Sequence, residues 1–140
     1  MNIALIGPGF GHNIKPYLEF FNVNFNDYKV DFIYHTKLTD DFKTSLNHVN
    51  FVELKAGMKK LVFSRNQYDL IWLMGGGKLV YPFFLINKLN NKTTTVLNIW
   101  SEDLPRSLNK GGIVSKFKRI SVRSFSVINC NWFGTRDLFQ

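Results

Sequence analysis

The sequence predicts an α/β domain, a doubly wound and mostly parallel sheet with helices on both faces, and three observations predict it. A short apolar run, residues 2–7, feeds a glycine loop, Pro8-Gly-Phe-Gly-His12, and then a helical pattern, which is the first unit of a Rossmann-like fold. Leu70 to Met74 is an unbroken apolar run, as suits a parallel strand covered on both sides. Strand-like and helix-like runs alternate along the whole chain, and right-handed crossovers convert that order into parallel pairing.

After the first strand, Ile14, Tyr17, Leu18, Phe21 and Phe25 recur at helical spacing, with Pro16 in the first turn, where its missing N–H costs little. Residues 30–35 and 50–54 are short and rich in β-branched and aromatic side chains, so they are the expected second and third strands. Between them Thr39 precedes Asp40 and Asp41 in an N-cap pattern that starts a short helix through Leu46. A modest helix is expected over 58–64, the fourth strand over 69–74, and a helix over 78–89 with Pro82 early in it. Residues 94–100 read as the fifth strand, 101–110 as a polar loop, 113–124 as a basic helix and 126–130 as the sixth strand. Residues 135–140 have the pattern of an N-cap and first turn, too short to stand alone. That stub either docks on the sheet or marks a domain truncated at its C-terminus. With no repeat, linker or low-complexity segment, residues 1–140 are expected to form one domain.

A chain of 140 residues supports a full core. Its 45% apolar content argues against disorder. The longest apolar stretches fall far short of the ~20 residues a membrane span requires. No basic segment precedes the first apolar run, so no secretory signal is expected, and the single Cys130 fits a reducing compartment. A cytoplasmic location follows as the expectation. Eighteen basic against 10 acidic side chains, net +8, favour an anionic partner without choosing between phosphate-bearing ligand, lipid surface and nucleic acid. The same richness in Asn, Lys, Ile and Phe is also what genomic base composition produces. Nucleic acid has only charge and aromatic content in its favour, with no groove-reading motif, and is not expected.

The glycine turn Gly7 to His12 exposes backbone N–H groups beside the positive end of a helix, where anions bind. A nicotinamide fingerprint needs a glycine where His12 stands and an acid closing the second strand, so no dinucleotide cofactor is expected. The glycines equally serve a tight strand-to-helix turn. Gly75, Gly76 and Gly77 before Lys78 suggest a phosphate loop, but Trp72 and Leu79 occupy the positions that loop needs for glycine and for a hydroxyl. These glycines permit either close approach of a ligand or a simple turn.

Ser101, Glu102, Asp103 and Arg106 gather a hydroxyl, two carboxylates and a guanidinium after the fifth strand, the groups a sugar ligand requires. Ser101 or Asp103 as the cap of a short turn explains them as well. His12 and His35 lie at turn or strand ends, and His48 in a surface loop. In the basic helix Ile113, Phe117 and Ile120 form one face and Lys116, Arg119 and Arg123 another, with Lys110 and Lys118 nearby. Such a helix lies on anionic headgroups or packs on the sheet with an ordinary solvated face. One cysteine and three scattered histidines give no metal-ligand spacing, and there is no nucleophile elbow. Neither metal nor cofactor is expected.

Four segments line up in order with one family: Ile3-Ala-Leu-Ile-Gly-Pro-Gly9; Tyr68-Asp-Leu-Ile-Trp72 with the glycines after it; Val96-Leu-Asn-Ile-Trp-Ser-Glu-Asp-Leu104; and Phe125-Ser-Val-Ile-Asn-Cys130 with Gly134-Thr-Arg-Asp-Leu-Phe139. Together they resemble the N-terminal, acceptor-side domain of retaining family-four, or group-one, glycosyltransferases of the GT-B fold. The resemblance implies two Rossmann-like domains facing across a cleft, the first holding the acceptor and the second the nucleotide-sugar. It places Gly9, Phe10, Gly11 and His12 at the cleft and turns Ser101, Glu102 and Asp103 toward the acceptor, with Gly75 and Gly76 as further substrate-binding positions. Glu102 departs from the small residue the family has before Asp103. The donor-contacting glutamate pair belongs to the second domain, so the resemblance implies the acceptor-binding half of an enzyme, not active alone. Its partners would be a separate catalytic C-terminal half and a saccharide or lipid-linked acceptor, with Lys116, Arg119 and Arg123 turned to the inner membrane face. The rival expectation is a non-catalytic Rossmann-like module for a small anionic ligand or a protein partner.

Overall fold

A computed structural model describes residues 1–7, 14–36, 38–75, 77–99, 108 and 111–130. Its strands are β1 (Asn2–Gly7), β2 (Lys29–Tyr34), β3 (Val49–Glu53), β4 (Leu70–Met74), β5 (Thr94–Ile99) and β6 (Val127–Cys130). They form a six-stranded sheet in the order β3-β2-β1-β4-β5-β6, every pair parallel. The helices are α1 (Lys15–Asn24), α2 (Asp40–Thr44), α3 (Leu54–Phe63), α4 (Phe83–Leu89) and α5 (Gly112–Arg123), with a 3₁₀ turn at Gly77–Val80. This is the doubly wound, Rossmann-like arrangement the sequence predicts.

The pleat sorts the strand residues into two cores. Ala4, Ile6, Ile33, Ile71, Leu73, Leu97 and Ile99 pack with Leu61 of α3, Phe83 and Ile86 of α4, and Val122 of α5. Ile3, Leu5, Val30, Phe32, Tyr34 and Met74 pack on the opposite face with Leu18 and Phe21 of α1 and Leu46 beyond α2.

Two helices differ from their expected bounds for identifiable reasons. Helix α3 begins at Leu54, directly from β3, because Glu53 keeps an extended conformation and serves as the N-cap without an intervening loop. Gly57 then lets the helix approach β2: a Cβ there would lie 2.5 Å from Ile33 Cγ2. The expected helix over 78–89 divides into the 3₁₀ turn and α4, since Pro82 has no N–H to continue a helical ladder and instead caps α4, its carbonyl accepting from the N–H groups of Leu85 and Ile86 at 3.1 Å each. The expected final stub at 135–140 lies outside the described residues, as does most of the loop 101–110.

Candidate ligand-binding site

Since every strand runs the same way, Gly7, Tyr34, Glu53, Met74 and Ile99 all close their strands on one edge of the sheet. The chain crosses from β1 toward β2 on one side and from β4 toward β5 on the other, so a switch point opens between Gly7 and Met74, where doubly wound sheets take ligands. The two glycines beside it do different work. Gly7 is required for space, because an added Cβ would lie 2.8 Å from Ile14 Cδ1 and 3.2 Å from Phe32 Cε2. Gly75 is required for conformation: its φ is +103°, a built Cβ would meet nothing within 4 Å, and its N–H donates to the Asn98 carbonyl at 2.9 Å.

Asn98, across from Met74 beside the switch point, is a residue that the sequence analysis did not single out. It is fully buried, next to last in β5, with Met74 and Asn129 as its neighbours across the sheet. Leu97 and Ile99 point into the α3–α5 core, so Asn98 points to the other face. Both its amide oxygen and its amide nitrogen lack a hydrogen-bond partner among the described residues. A buried amide left in that state costs about 1–3 kcal/mol and calls for an explanation such as a bound group. The signal in the sequence was a lone polar residue within Val96-Leu-Asn-Ile99.

Further along the same edge, at the ends of β2 and β3, a cavity of about 1080 Å³ is lined by His35, Thr36, Asp40, Lys43, Glu53 and Lys55 among others. Tyr34 forms part of the wall, with Lys43 Nζ 5.6 Å from its ring centroid. Thr36 Oγ1 lies 3.2 Å from His35 Nδ1, and Lys43 Nζ lies 3.9 Å from the Asp40 carboxylate. Hydroxyl, imidazole, carboxylate and ammonium around one aromatic face make a cavity suited to a polar ligand with many hydroxyls. Helix α3 supplies one wall with its first residues because it starts without a loop.

A perturbed carboxylate lies elsewhere. Asp31, on the α3 side of β2, is fully buried and accepts hydrogen bonds from Tyr68 Oη at 2.6 Å, Asn50 Nδ2 at 2.8 Å and Lys60 Nζ at 3.3 Å. Burial pushes its carboxyl up, but these donors and the Lys60 charge together outweigh burial and hold it below the usual range. Burial likewise pushes the Tyr68 phenol well up, helped by the bond to Asp31 and its charge. The cluster joins β2, β3, α3 and the approach to β4, away from the strand ends that carry the cavity, and its bonding is spent within the fold.

Of the residues expected to bind substrate, Gly75 sits at the switch point. Gly9, Phe10, Gly11, His12, Gly76, Ser101, Glu102 and Asp103 lie outside the described residues, although β1, β4 and β5, which precede them, end on the same edge. Lys116 and Arg123 are exposed on α5, while the Arg119 guanidinium donates to the Leu108 carbonyl at 2.8 and 3.2 Å. His48 is exposed, its backbone N–H bonded to Asn22. No family model, curated protein or solved structure matches the chain. Among the described residues no helix is long and apolar enough to cross a membrane, and no three His, Cys, Asp or Glu side chains group as metal ligands.

Proposed function

We propose that this chain is the acceptor-binding half of a glycosyltransferase, which moves a sugar from a nucleotide-sugar to a saccharide or lipid-linked acceptor only together with an opposing, donor-binding lobe. The observation that carries the reading is the joint placement of the switch point and the polar cavity on one edge of the sheet, with strands β1, β4 and β5 all ending there. Saccharide hydroxyls both donate and accept, and His35, Thr36, Asp40 and Glu53 offer partners of both kinds. Sugar transfer also requires stabilisation of a departing diphosphate and the alignment of two substrates. Lys43 already faces the Asp40 carboxylate, 3.9 Å away, and is a poor diphosphate clamp, so the donor belongs to the other lobe.

Ligand-observed NMR with short oligosaccharides, a nucleotide-sugar and inorganic phosphate tests this. Saccharides should bind weakly, in the millimolar range, and Glu53→Gln should weaken them about tenfold, the loss of one charge-assisted hydrogen bond. A nucleotide-sugar that binds the isolated chain more tightly than any saccharide would overturn the reading. Lys55 in the cavity lining favours the second reading, a non-catalytic module for a small anion. Inorganic phosphate binding in place of saccharide would establish that one instead.

A further inference from the structure

Helix α5 is turned the opposite way from an ordinary sheet-packed helix. Ile113, Val114, Phe117 and Ile120 are 85%, 66%, 45% and 49% exposed, whereas Ser115, Lys118, Ser121 and Val122 are buried. The inward polar residues are accommodated: the Ser121 hydroxyl donates within reach of the Tyr81 and Phe117 carbonyls, at 3.2 and 3.1 Å, and the Lys118 ammonium lies 5.7 Å from the Tyr81 ring centroid. The Phe117 ring continues the outer surface onto the preceding segment, 6.4 Å from Tyr81 and 6.3 Å from Phe84. Lys88 Nζ stands 4.5 Å over the Phe84 ring.

Among the described residues, the border of this apolar surface carries one sign of charge. Lys116 and Arg123 are exposed, seven residues and so two turns apart on one flank of the Ile113, Phe117 and Ile120 stripe, and Lys88 lies beside Phe84. Neither α4 nor α5 contains an acidic residue.

We propose that the outer face of α4 and α5 docks on an anionic lipid bilayer, with Ile113, Phe117 and Ile120 entering the headgroup–acyl boundary and Lys88, Lys116 and Arg123 meeting lipid phosphates. An apolar stripe flanked by cations, on a helix lying flat, is the arrangement of an interfacial helix. A second copy of the chain does not complement this surface, since a symmetric pair sets Lys116 and Arg123 against cations with no carboxylate on either helix. A bilayer accepts a convex row of side chains without a matching groove, which a protein partner would have to supply. The proposal goes beyond the saccharide reading and stands without it.

Flotation of the full chain with neutral phosphatidylcholine vesicles and with vesicles containing phosphatidylglycerol tests the proposal. The chain should float with the anionic vesicles and stay behind with the neutral ones. Lys116→Gln with Arg123→Gln should weaken binding about thirtyfold, from the loss of two basic contacts. Ile113→Ser with Ile120→Ser should weaken it about a hundredfold or more, through lost apolar burial. All four positions are exposed, and unchanged thermal unfolding would establish that the variants are folded. Equal partitioning to neutral vesicles, no flotation, or full binding by either double variant would overturn the proposal. So would a concentration-dependent dimer that the serine variant dissolves, or an acidic polypeptide that displaces vesicles and binds the serine variant undiminished.

Discussion

Asp31 and Asn98 are both fully buried polar residues in strands, and they lead to opposite expectations. Asp31 is satisfied three times over, so removing a donor should hurt. Tyr68→Phe, which deletes the 2.6 Å bond, should cost about 1–3 kcal/mol in urea unfolding at neutral pH. The pH dependence has a definite sign. A carboxyl held low in the folded state contributes stability above its unfolded value, near ~3.9, and loses it as pH falls through the lower folded value. Tyr68→Phe raises the folded value, so acid unfolding should begin at higher pH, and the gap between variant and parent should narrow in strong acid. Asn98→Leu has no side-chain bond to lose among the described residues, so stability should be unchanged or rise by up to about 1–3 kcal/mol in the same urea unfolding. A clear loss of stability would show that the amide is bonded in solution. Both residues left a trace in the sequence, a lone polar side chain inside an apolar strand, but that trace does not say whether a partner is present. The partners of Asp31 arrive from β3, α3 and Tyr68, two residues ahead of β4.

Elements show where periodicity stops being informative. The start of α3 was hidden because Leu54, which packs on the core, reads equally well as the end of the third strand, and the next inward position is a glycine. Gly57→Ala should destabilise by about 1–3 kcal/mol through overpacking against Ile33, although alanine favours helices more than glycine. Gly75→Ala should cost a similar amount for the other reason, strain at φ +103° in open space, about 1–3 kcal/mol. The two are distinguishable: in an Ile33→Ala background, which lacks the Cγ1, Cγ2 and Cδ1 atoms that a Cβ at 57 would meet, Gly57→Ala should cost little, while the cost of Gly75→Ala should be unchanged. In α5 the helical repeat was legible and its orientation was not. A period of 3.6 residues separates an apolar face from a basic one, but the third face, Ser115, Ser121 and Val122, is the one that turns inward.

For the whole molecule, the sheet was the most legible feature, because alternating elements and right-handed crossovers leave few alternatives to parallel pairing. The cavity at the ends of β2 and β3 was not legible, since it depends on the register that brings Tyr34 beside Glu53 and on a helix that starts without a loop. The strand order also predicts how the fold opens. Strands β1 and β4 lie at the centre and β3 and β6 at the borders. Amide hydrogen exchange should therefore be slowest in β1 and β4 and fastest, among strands, in β6. Faster exchange in β1 than in β6 would contradict the order.

The seamless passage from Glu53 into Leu54 has a mechanical consequence. Glu53 and Lys55 at the cavity wall stand on the same unbroken strand-to-helix element as Lys60, which pairs with Asp31 in the interior at 3.3 Å. Lys60 in turn shares the Asp31 carboxylate with the Tyr68 phenol. Filling the cavity should shift the Tyr68 ring resonances, and Lys60→Met should uncouple them.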